Sequence, residues 1–210
     1  MCSAICRQRP LIITANAGRS AAGAAALARL AERFALPVVA FNARYLALPN
    51  DHPMHQGFQP RPLLDDADLV IVLDCDVPWI PAAEGPKPGA RIVHIGEDPC
   101  FSRYPIRSFP ADLSIAADVP AALATLEGAL AAAMPESAAV AARRRELAER
   151  SAARRGRARA QTDADAGKAQ ITPEWISRCV GEAVGDETII VNEYPLRPDR
   201  RNRRCSGPGR

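Results

Sequence analysis

The chain has 210 residues, 48% of them hydrophobic and 5% aromatic, and its 27 basic and 24 acidic residues give a formal net charge of +3. This size suits one globular domain with additional segments. A composition rich in arginine and alanine reflects biased codon usage more often than nucleic-acid binding, which needs basic residues clustered on one face. No apolar run approaches the roughly 20 residues that cross a bilayer, so we expect no membrane partner. The six cysteines form no Cys-x-x-Cys pair and the first ten residues contain no apolar leader segment, which predicts reduced thiols in a cytoplasmic protein.

The first forty residues predict a strand, a helix and a second strand. Leu11–Thr14 is a short apolar run rich in β-branched residues, and Ala21–Phe34 has helical periodicity with Ser20 as its N-cap. Pro37 prevents the helix from continuing, and Val38–Phe41 is the next strand. Two strands joined by a helix in this way pair in parallel with a right-handed crossover.

The pattern continues to about residue 134. Leu69–Leu73 is apolar at every position, which is typical of a strand that is buried on both faces of a parallel sheet. We therefore expect residues 9–134 to form one α/β domain, a Rossmann-like, doubly wound parallel sheet. Its remaining elements are a short helix over Pro62–Ala67, strands over Arg91–Ile95 and Leu113–Ala116, and a helix from Asp118 to Met134.

Residues 135–170 differ in composition, being rich in alanine and arginine. No stripe of large apolar residues runs through them, which predicts a solvated, partly helical connector. A nucleic-acid-binding arm is the alternative, but aromatic residues for base stacking are missing and Glu146 and Glu149 interrupt the positive charge.

The C-terminal part, residues 171–196, predicts the incomplete start of a second α/β domain. A helix over Thr172–Val184 is followed by a strand over Thr188–Val191. Residues 1–8 and 197–210 have no periodicity, and we expect both to be disordered. The apolar face of the helix consists of Trp175, Ile176, Cys179, Val180 and Ala183.

Ligands of an open parallel sheet bind beyond the carboxyl ends of its strands, and two turns there have residues suited to a nucleotide. Gly18 and Gly23 precede and open the first helix, where backbone amides can hold a phosphate. Two glycines before a helix are also common turn chemistry, and this alternative is favoured because Gly-x-Gly-x-x-Gly is absent. Glu97 or Asp98 could accept a ribose hydroxyl, although Asp98 followed by proline is also common turn chemistry.

Two other turns have residues suited to metal binding or acid–base chemistry. His52 and His55 have the His-x-x-His spacing of metal ligands, but a third ligand is not evident and structural roles are favoured. Asp74, Cys75 and Asp76 end the third strand, where carboxylates around a thiol suggest catalysis. Without a histidine nearby in the sequence, a structural role in the loop is favoured there as well.

Several segments of the chain stand in a characteristic order and spacing: Arg9–Ile13, Leu30–Val39, Asn50–Pro53 with Gly57, Asp66–Leu73, Asp74–Pro81, and Ile92–Ile95 with Asp98–Pro99. Together they resemble the central domain of thiamine diphosphate (TPP)-dependent enzymes of the acetolactate synthase and benzoylformate decarboxylase type. Relatives have three α/β domains, of which the first supplies a glutamate that activates the cofactor and the last supplies a Gly-Asp-Gly…Asn motif for Mg²⁺ and the diphosphate.

The resemblance has direct implications for cofactors. Gly-Asp-Gly does not occur in the sequence, so we expect thiamine diphosphate and Mg²⁺ to belong to full-length relatives and not to be bound by this chain. Asn192 and Glu193 correspond to the end of the first strand of the diphosphate domain, near the cofactor. Some relatives bind FAD with an acidic residue at the position of Gly96, so the resemblance argues against FAD here.

The sequence thus predicts a central-domain fragment of a thiamine pyrophosphate-requiring, acetolactate synthase-like enzyme. Full-length relatives act as lyases or transferases on C–C bonds of 2-oxo acids, and we expect this chain to be inactive alone. We also expect that a late start codon and a frameshift or premature stop shortened its coding sequence. The alternatives are an FAD-type nucleotide-binding module and a non-catalytic assembly subunit. Its expected partner is a complete paralogue or a second copy of itself.

Overall fold

The computed structural model describes residues 9–133 and 137–185, together with the single positions 188 and 196. Over these residues it shows a five-stranded parallel sheet flanked by helices, which confirms the predicted α/β class. The strands are β1 Pro10–Thr14, β2 Val38–Ala40, β3 Leu69–Leu73, β4 Arg91–Gly96 and β5 Leu113–Ala116, in the spatial order β2-β1-β3-β4-β5.

Helices connect β1 to β2 and β2 to β3, whereas the segments between β3 and β4 and between β4 and β5 contain no helix. A 3₁₀ turn, Ala17–Arg19, precedes the first of these helices. None of the described helices combines the length and apolar character that spanning a bilayer requires. The helices are α1 Ala21–Phe34, α2 Arg61–Leu64, α3 Val119–Ala133, α4 Ala138–Asp165 and α5 Pro173–Ala183.

The central strands are buried on both faces. Neighbouring residues of β1 point to opposite sides of the sheet: Ile12 joins the core under α1, α3 and α4, whereas Leu11 and Ile13 join the core under α2 and the loops after β3. In register with Ile12, Ile71 of β3 lies on the same face. This arrangement explains why these strands are apolar throughout instead of alternating.

Local sequence accounts for the limits of α1. The Ser20 hydroxyl accepts a hydrogen bond from the Gly23 amide at 3.0 Å, which caps the first turn as predicted. At the other end, Ala35 has a φ of 51°, the left-handed conformation that ends many helices. The chain then turns directly into Pro37 and β2.

The predicted connector is more ordered than expected. Residues 138–165 form one continuous helix, α4, and its Val140 and Leu147 belong to the core beside α1. The segment is more helical and more closely packed than predicted, while its role as a connector between two domains stays a prediction. A stripe exists, but small residues such as Ser151 and Ala158 build most of it, so side-chain hydrophobicity alone did not indicate it.

Arginines hold α4 onto the end of α1. Arg143 donates to the carbonyls of Ala35 and Phe34, both at 2.9 Å, and Arg144 donates to Glu32 at 3.0 Å and Arg33 at 2.9 Å. The last carbonyls of a helix lack partners within the helix. Two arginines of this segment thus hold α4 against α1.

The predicted C-terminal helix is present as α5, with Thr172 as N-cap accepting from the Trp175 amide at 3.2 Å. The helix contacts α4. Its buried residues are Ser177 and Gly181, whereas Ile176 and Cys179 of the predicted apolar face are exposed. The predicted strand Thr188–Val191 lies outside the described residues except for Thr188, and so do the predicted tails 1–8 and 197–210.

Candidate functional site

The order of the strands creates a crevice between β1 and β3. From β1 the chain runs through α1 to β2, and from β2 it returns past β1 to β3, so the connections leave these neighbouring strands in opposite directions. In sheets of this kind, ligands bind at the carboxyl ends of such a strand pair. The residues that follow β1 and β3 therefore define the candidate site.

Asn16 and Asp74 close this crevice from its two sides. The backbone amide of Asn16 donates to the Asp74 carbonyl at 3.1 Å, and its side-chain amide donates to the same oxygen at 3.0 Å. Asp74 has a φ of 44°, a conformation that aspartate tolerates better than most residues. The two strand ends are thus tied together by the protein's own groups.

Arg19 links three of these turns. Its guanidinium lies 3.1 Å from a carboxylate oxygen of Asp74 and 3.7 Å from one of Glu97. Burial raises the pKa of the Asp74 carboxyl group, and the charge of Arg19 opposes that shift. Glu97, which the sequence suggested as a ribose ligand, therefore takes part in an ion pair that joins the ends of β1, β3 and β4.

Asp76 is held more tightly than Asp74. Arg44 donates to both of its carboxylate oxygens, at 3.1 and 2.6 Å, and the Tyr104 hydroxyl donates to one of them at 2.7 Å. These hydrogen bonds lower the pKa of Asp76 to about 2, with Arg44 contributing most. A carboxylate with this pKa and these donors is a poor proton acceptor, so the structure favours a structural role.

Cys75, between the two aspartates, is buried under the sheet. Burial raises the pKa of its thiol to about 12, and the neighbouring Asp76 charge adds to the shift. Because the thiolate is the nucleophilic form, this cysteine is unsuited to covalent catalysis near neutral pH. Its packing role follows from its place in the core with Trp79.

Arg107 holds the loop after β4 against the carboxyl ends of the strands. It donates to the backbone carbonyls of Asp76 at 2.9 Å and Cys75 at 3.3 Å, and to Nδ1 of His94 at 3.2 Å. Its guanidinium also lies 4.9 Å from the Phe101 ring and 5.1 Å from that of Phe109, within range of cation–π attraction. Burial and the nearby Arg107 charge lower the pKa of His94, which keeps that ring neutral.

The sequence did not single out Arg44, Tyr104 or Arg107. Arg44 and Tyr104 lie 32 and 28 residues from Asp76, and no periodicity relates loop positions that far apart. The one available signal was the pair of aspartates at the end of a fully apolar strand, since carboxylates in such a place need donors. That signal indicates that donors exist but not which residues supply them.

The comparison with protein families decides the identity of this domain. Residues 6–126 match the family described as thiamine pyrophosphate enzyme, central domain. The chain belongs to this family.

Solved structures of thiamine diphosphate-dependent enzymes are similar to part of this chain. A candidate thiamin diphosphate-dependent enzyme isolated from Mycobacterium smegmatis is 24% identical, with a TM-score of 0.47 over 60% of this chain. The thiamine diphosphate-dependent 4-hydroxybenzoylformate decarboxylase of Rhodococcus jostii RHA1 is 21% identical, with a TM-score of 0.47 over 61%. The chain spans 25% of the length of each, and no curated protein matches it.

The described residues of this central domain do not fit the cofactor of the family. Among them, no three His, Cys, Asp or Glu side chains form a group that could hold a metal ion. Asp76 already accepts from Arg44 and Tyr104, and Asp74 is bound by Arg19. Asn192 and Glu193, the predicted cofactor contacts, lie outside the described residues.

The turn after β1 is shaped by packing. A Cβ at Gly18 would lie 2.0 Å from the Leu46 carbonyl oxygen, and one at Gly23 would lie 2.6 Å from the Ala17 oxygen. The Gly23 amide is already bonded to Ser20. Close backbone approach therefore explains both glycines without a bound phosphate.

The remaining candidates also have internal partners. Asp98 accepts from the amide and the hydroxyl of Ser102, both at 2.8 Å, which is the turn chemistry predicted as the alternative. Nδ1 of His52 accepts from the Met54 amide at 3.1 Å. His55 is fully buried, and desolvation lowers its pKa to about 3, with the Arg154 charge adding to the shift. These two histidines act in the fold.

Proposed function

We propose that this chain provides the central domain of an acetolactate synthase-like, thiamine diphosphate-dependent assembly and serves there as a structural module. Relatives of this type act as lyases or transferases on C–C bonds of 2-oxo acids, and the family match over residues 6–126 is the observation that carries the proposal.

The edge of the sheet at which the strands end, called here the carboxyl edge, supports a structural role. Arg44, Tyr104 and Arg107 bind Asp76, and Arg19 binds Asp74, so the polar groups that commonly meet a ligand in such folds are engaged with one another. These bonds connect the ends of β1, β3 and β4 to the covering loops. An edge arranged in this way stabilises the domain.

The cofactor and its Mg²⁺ belong, in this proposal, to other parts of the assembly. Asn192 and Glu193 remain proposed contacts by resemblance to the diphosphate domain of relatives. The partner is a complete thiamine diphosphate paralogue or a second copy of this chain, in the cytoplasm. Affinity capture of the tagged chain from its native host, followed by mass spectrometry, tests the partner. Recovery of a larger thiamine enzyme or untagged copies of this chain supports the proposal.

Activity tests the catalytic part of the proposal. The purified chain, with thiamine diphosphate and Mg²⁺, is incubated with pyruvate and separately with benzoylformate, and release of CO₂ is measured. We expect no turnover above a protein-free control, while a complete thiamine diphosphate decarboxylase under the same conditions serves as the positive control. Turnover by the isolated chain would contradict a purely structural role.

A further inference from the structure

The two outer strands of the sheet, β2 and β5, differ in how their backbone groups are used. On β2, the Val38 amide donates to the Met54 carbonyl at 2.9 Å, and the Val38 carbonyl accepts from the Gln56 amide at 2.8 Å. The loop after β2 therefore occupies the outer side of that strand, and a further strand has no place to pair there. Within the part of the chain that the structure describes, no segment pairs with the outer side of β5.

The backbone groups of β5 alternate between its two sides. The Ala117 amide, directly after the strand, donates to the last residue of β4 at 2.8 Å. Because the backbone groups of successive strand residues point to opposite sides, those of Ser114 and Ala116 point away from β4. The outer side of β5 thus presents amides and carbonyls that another strand can bind.

The side chains of β5 are also those of an unprotected outer strand. None of its four residues is charged or a proline, the residue types that commonly prevent pairing at a sheet edge. Leu113 is 42% exposed, although it lies in register with Val93 of the core. Ile115, on the same face as Leu113, is only partly buried against that core. The strand therefore leaves apolar surface uncovered beside the core.

We infer that two copies of this chain pair through β5 in antiparallel orientation, with Ser114 on a two-fold axis, so that their sheets become continuous. Because the loop after β2 closes that strand, a second copy can extend the sheet only with its own β5, and such a pairing is closed. On the axis, the outward amide and carbonyl of Ser114 bond those of Ser114 in the other copy. Leu113 of each copy then lies opposite Ile115 of the other, so these apolar side chains cover each other.

The charges next to the strand are compatible with this pairing. Asp112 directly precedes β5, and it is bound by Arg91 at 3.4 Å and by the Ile92 amide at 2.7 Å. In the inferred register Asp112 lies opposite Ala116 of the other copy, so like charges do not meet across the axis. The inference rests on the proposed function, in which a second copy is one of two partners, and it specifies the surface that this partner uses.

The oligomeric state of the whole chain tests the inference. Analytical ultracentrifugation should show an equilibrium that shifts from monomer to dimer as the protein concentration rises. Ser114→Lys places two like charges on the axis and should weaken dimerisation roughly tenfold or more. Ala152→Lys adds the same charge at an exposed position of α4 and should leave dimerisation unchanged, because α4 contacts the loop beside β2 at the other side of the sheet.

A cross-link tests the register independently of that variant. In a hydrogen-bonded antiparallel pair the two Cα atoms lie about 5.5 Å apart, a distance that a disulfide can span. Ser114→Cys should therefore form a disulfide between two copies on mild oxidation, and peptide mass spectrometry distinguishes it from links of the native cysteines. Ala116→Cys should not link to the same position of the other copy, since the two would lie about 13 Å apart along the strands.

The outcomes separate this inference from the proposed function. A monomer at every concentration would overturn the inference, and so would a dimer that Ser114→Lys leaves intact or equal cross-linking of the two cysteine variants. A dimer without the Ser114→Cys link would still support a second copy as partner, and capture of a larger thiamine enzyme would support the paralogue. Dimerisation only after deletion of residues 186–210 would identify that segment as the occupant of β5 and would also overturn the inference.

Discussion

Arg44 holds Asp76 through both carboxylate oxygens, at 3.1 and 2.6 Å, and so ties the loop after β2 to the end of β3. Asp76 is buried, whereas half of the Arg44 side chain is exposed. Since hydrogen bonds to a charged group contribute more than neutral ones, this pair should be a principal support of the carboxyl edge.

Replacing Arg44 with alanine should therefore destabilise the domain by about 2 kcal/mol, because a buried carboxylate loses its main donor. Chemical denaturation measures the free energy of unfolding. Arg61→Ala is a matched control, since its pair with Asp65 is exposed on both sides at 4.0 Å and should contribute less than about 0.5 kcal/mol. Equal effects of the two substitutions would show that the Arg44–Asp76 pair contributes no more to the free energy of unfolding than an exposed ion pair does.

Acid stability should report on the same pair. The pKa of Asp76 is about 2 in the folded protein and about 3.9 in an unfolded chain. The unfolded state therefore binds the proton first, and the stabilisation is complete above pH ~4 and lost as the pH falls towards ~2. Denaturation at several pH values should show this slope in the native protein and a smaller slope in Arg44→Ala. An unchanged slope would exclude Asp76 as its source.

His55 should remain neutral throughout the physiological range. Desolvation and the Arg154 charge place its folded-state pKa at about 3, below the ordinary value of about 6.5. The unfolded state thus takes up a proton between these values, so this residue costs stability as the pH falls below ~6.5. NMR of the imidazole signals should show no titration of His55 between pH 8 and pH 5. A midpoint near 6.5 would contradict the burial of this ring.

The cysteines should differ in reactivity. Cys75 is buried with a thiol pKa of about 12, while Cys100 and Cys179 are exposed. Because the alkylating agent reacts with the thiolate, iodoacetamide at pH 8 should modify Cys100 and Cys179 and spare Cys75 until the protein unfolds. Peptide mass spectrometry gives the extent of labelling at each site. Rapid labelling of Cys75 in the folded chain would support a nucleophilic role after all.

Substituting alanine for two of the glycines should have opposite effects on the stability of the protein. Gly18→Ala would place a methyl group 2.0 Å from the Leu46 oxygen and should cost about 2 kcal/mol or more. A methyl group at Gly156, within α4, would meet no atom within 4 Å outside the adjoining backbone of its own helix, so Gly156→Ala should stabilise the protein by roughly 0.5–1 kcal/mol. Thermal unfolding of the two variants measures both signs. Tolerance of Gly18→Ala would argue against the close approach of loop and turn.

Sequence patterns were sufficient where one property dominates a segment. Leu69–Leu73 is apolar throughout because both of its faces are buried. Ser20 could be recognised as an N-cap because it directly precedes a segment with helical periodicity. They were insufficient for α4, whose contact stripe uses small residues such as Ser151 and Ala158. The ion pair between Asp76 and Arg44 could not be predicted from the sequence either, because it depends on how the strand order brings distant loops together.

Isothermal titration calorimetry with thiamine diphosphate and Mg²⁺ tests the central claim most directly, namely that this domain is a structural module whose carboxyl edge is closed by its own side chains. The isolated chain should give no binding heat at micromolar concentrations, whereas a complete thiamine diphosphate enzyme should bind under the same conditions. Micromolar binding by the isolated chain would contradict the claim and show that its own residues hold the cofactor.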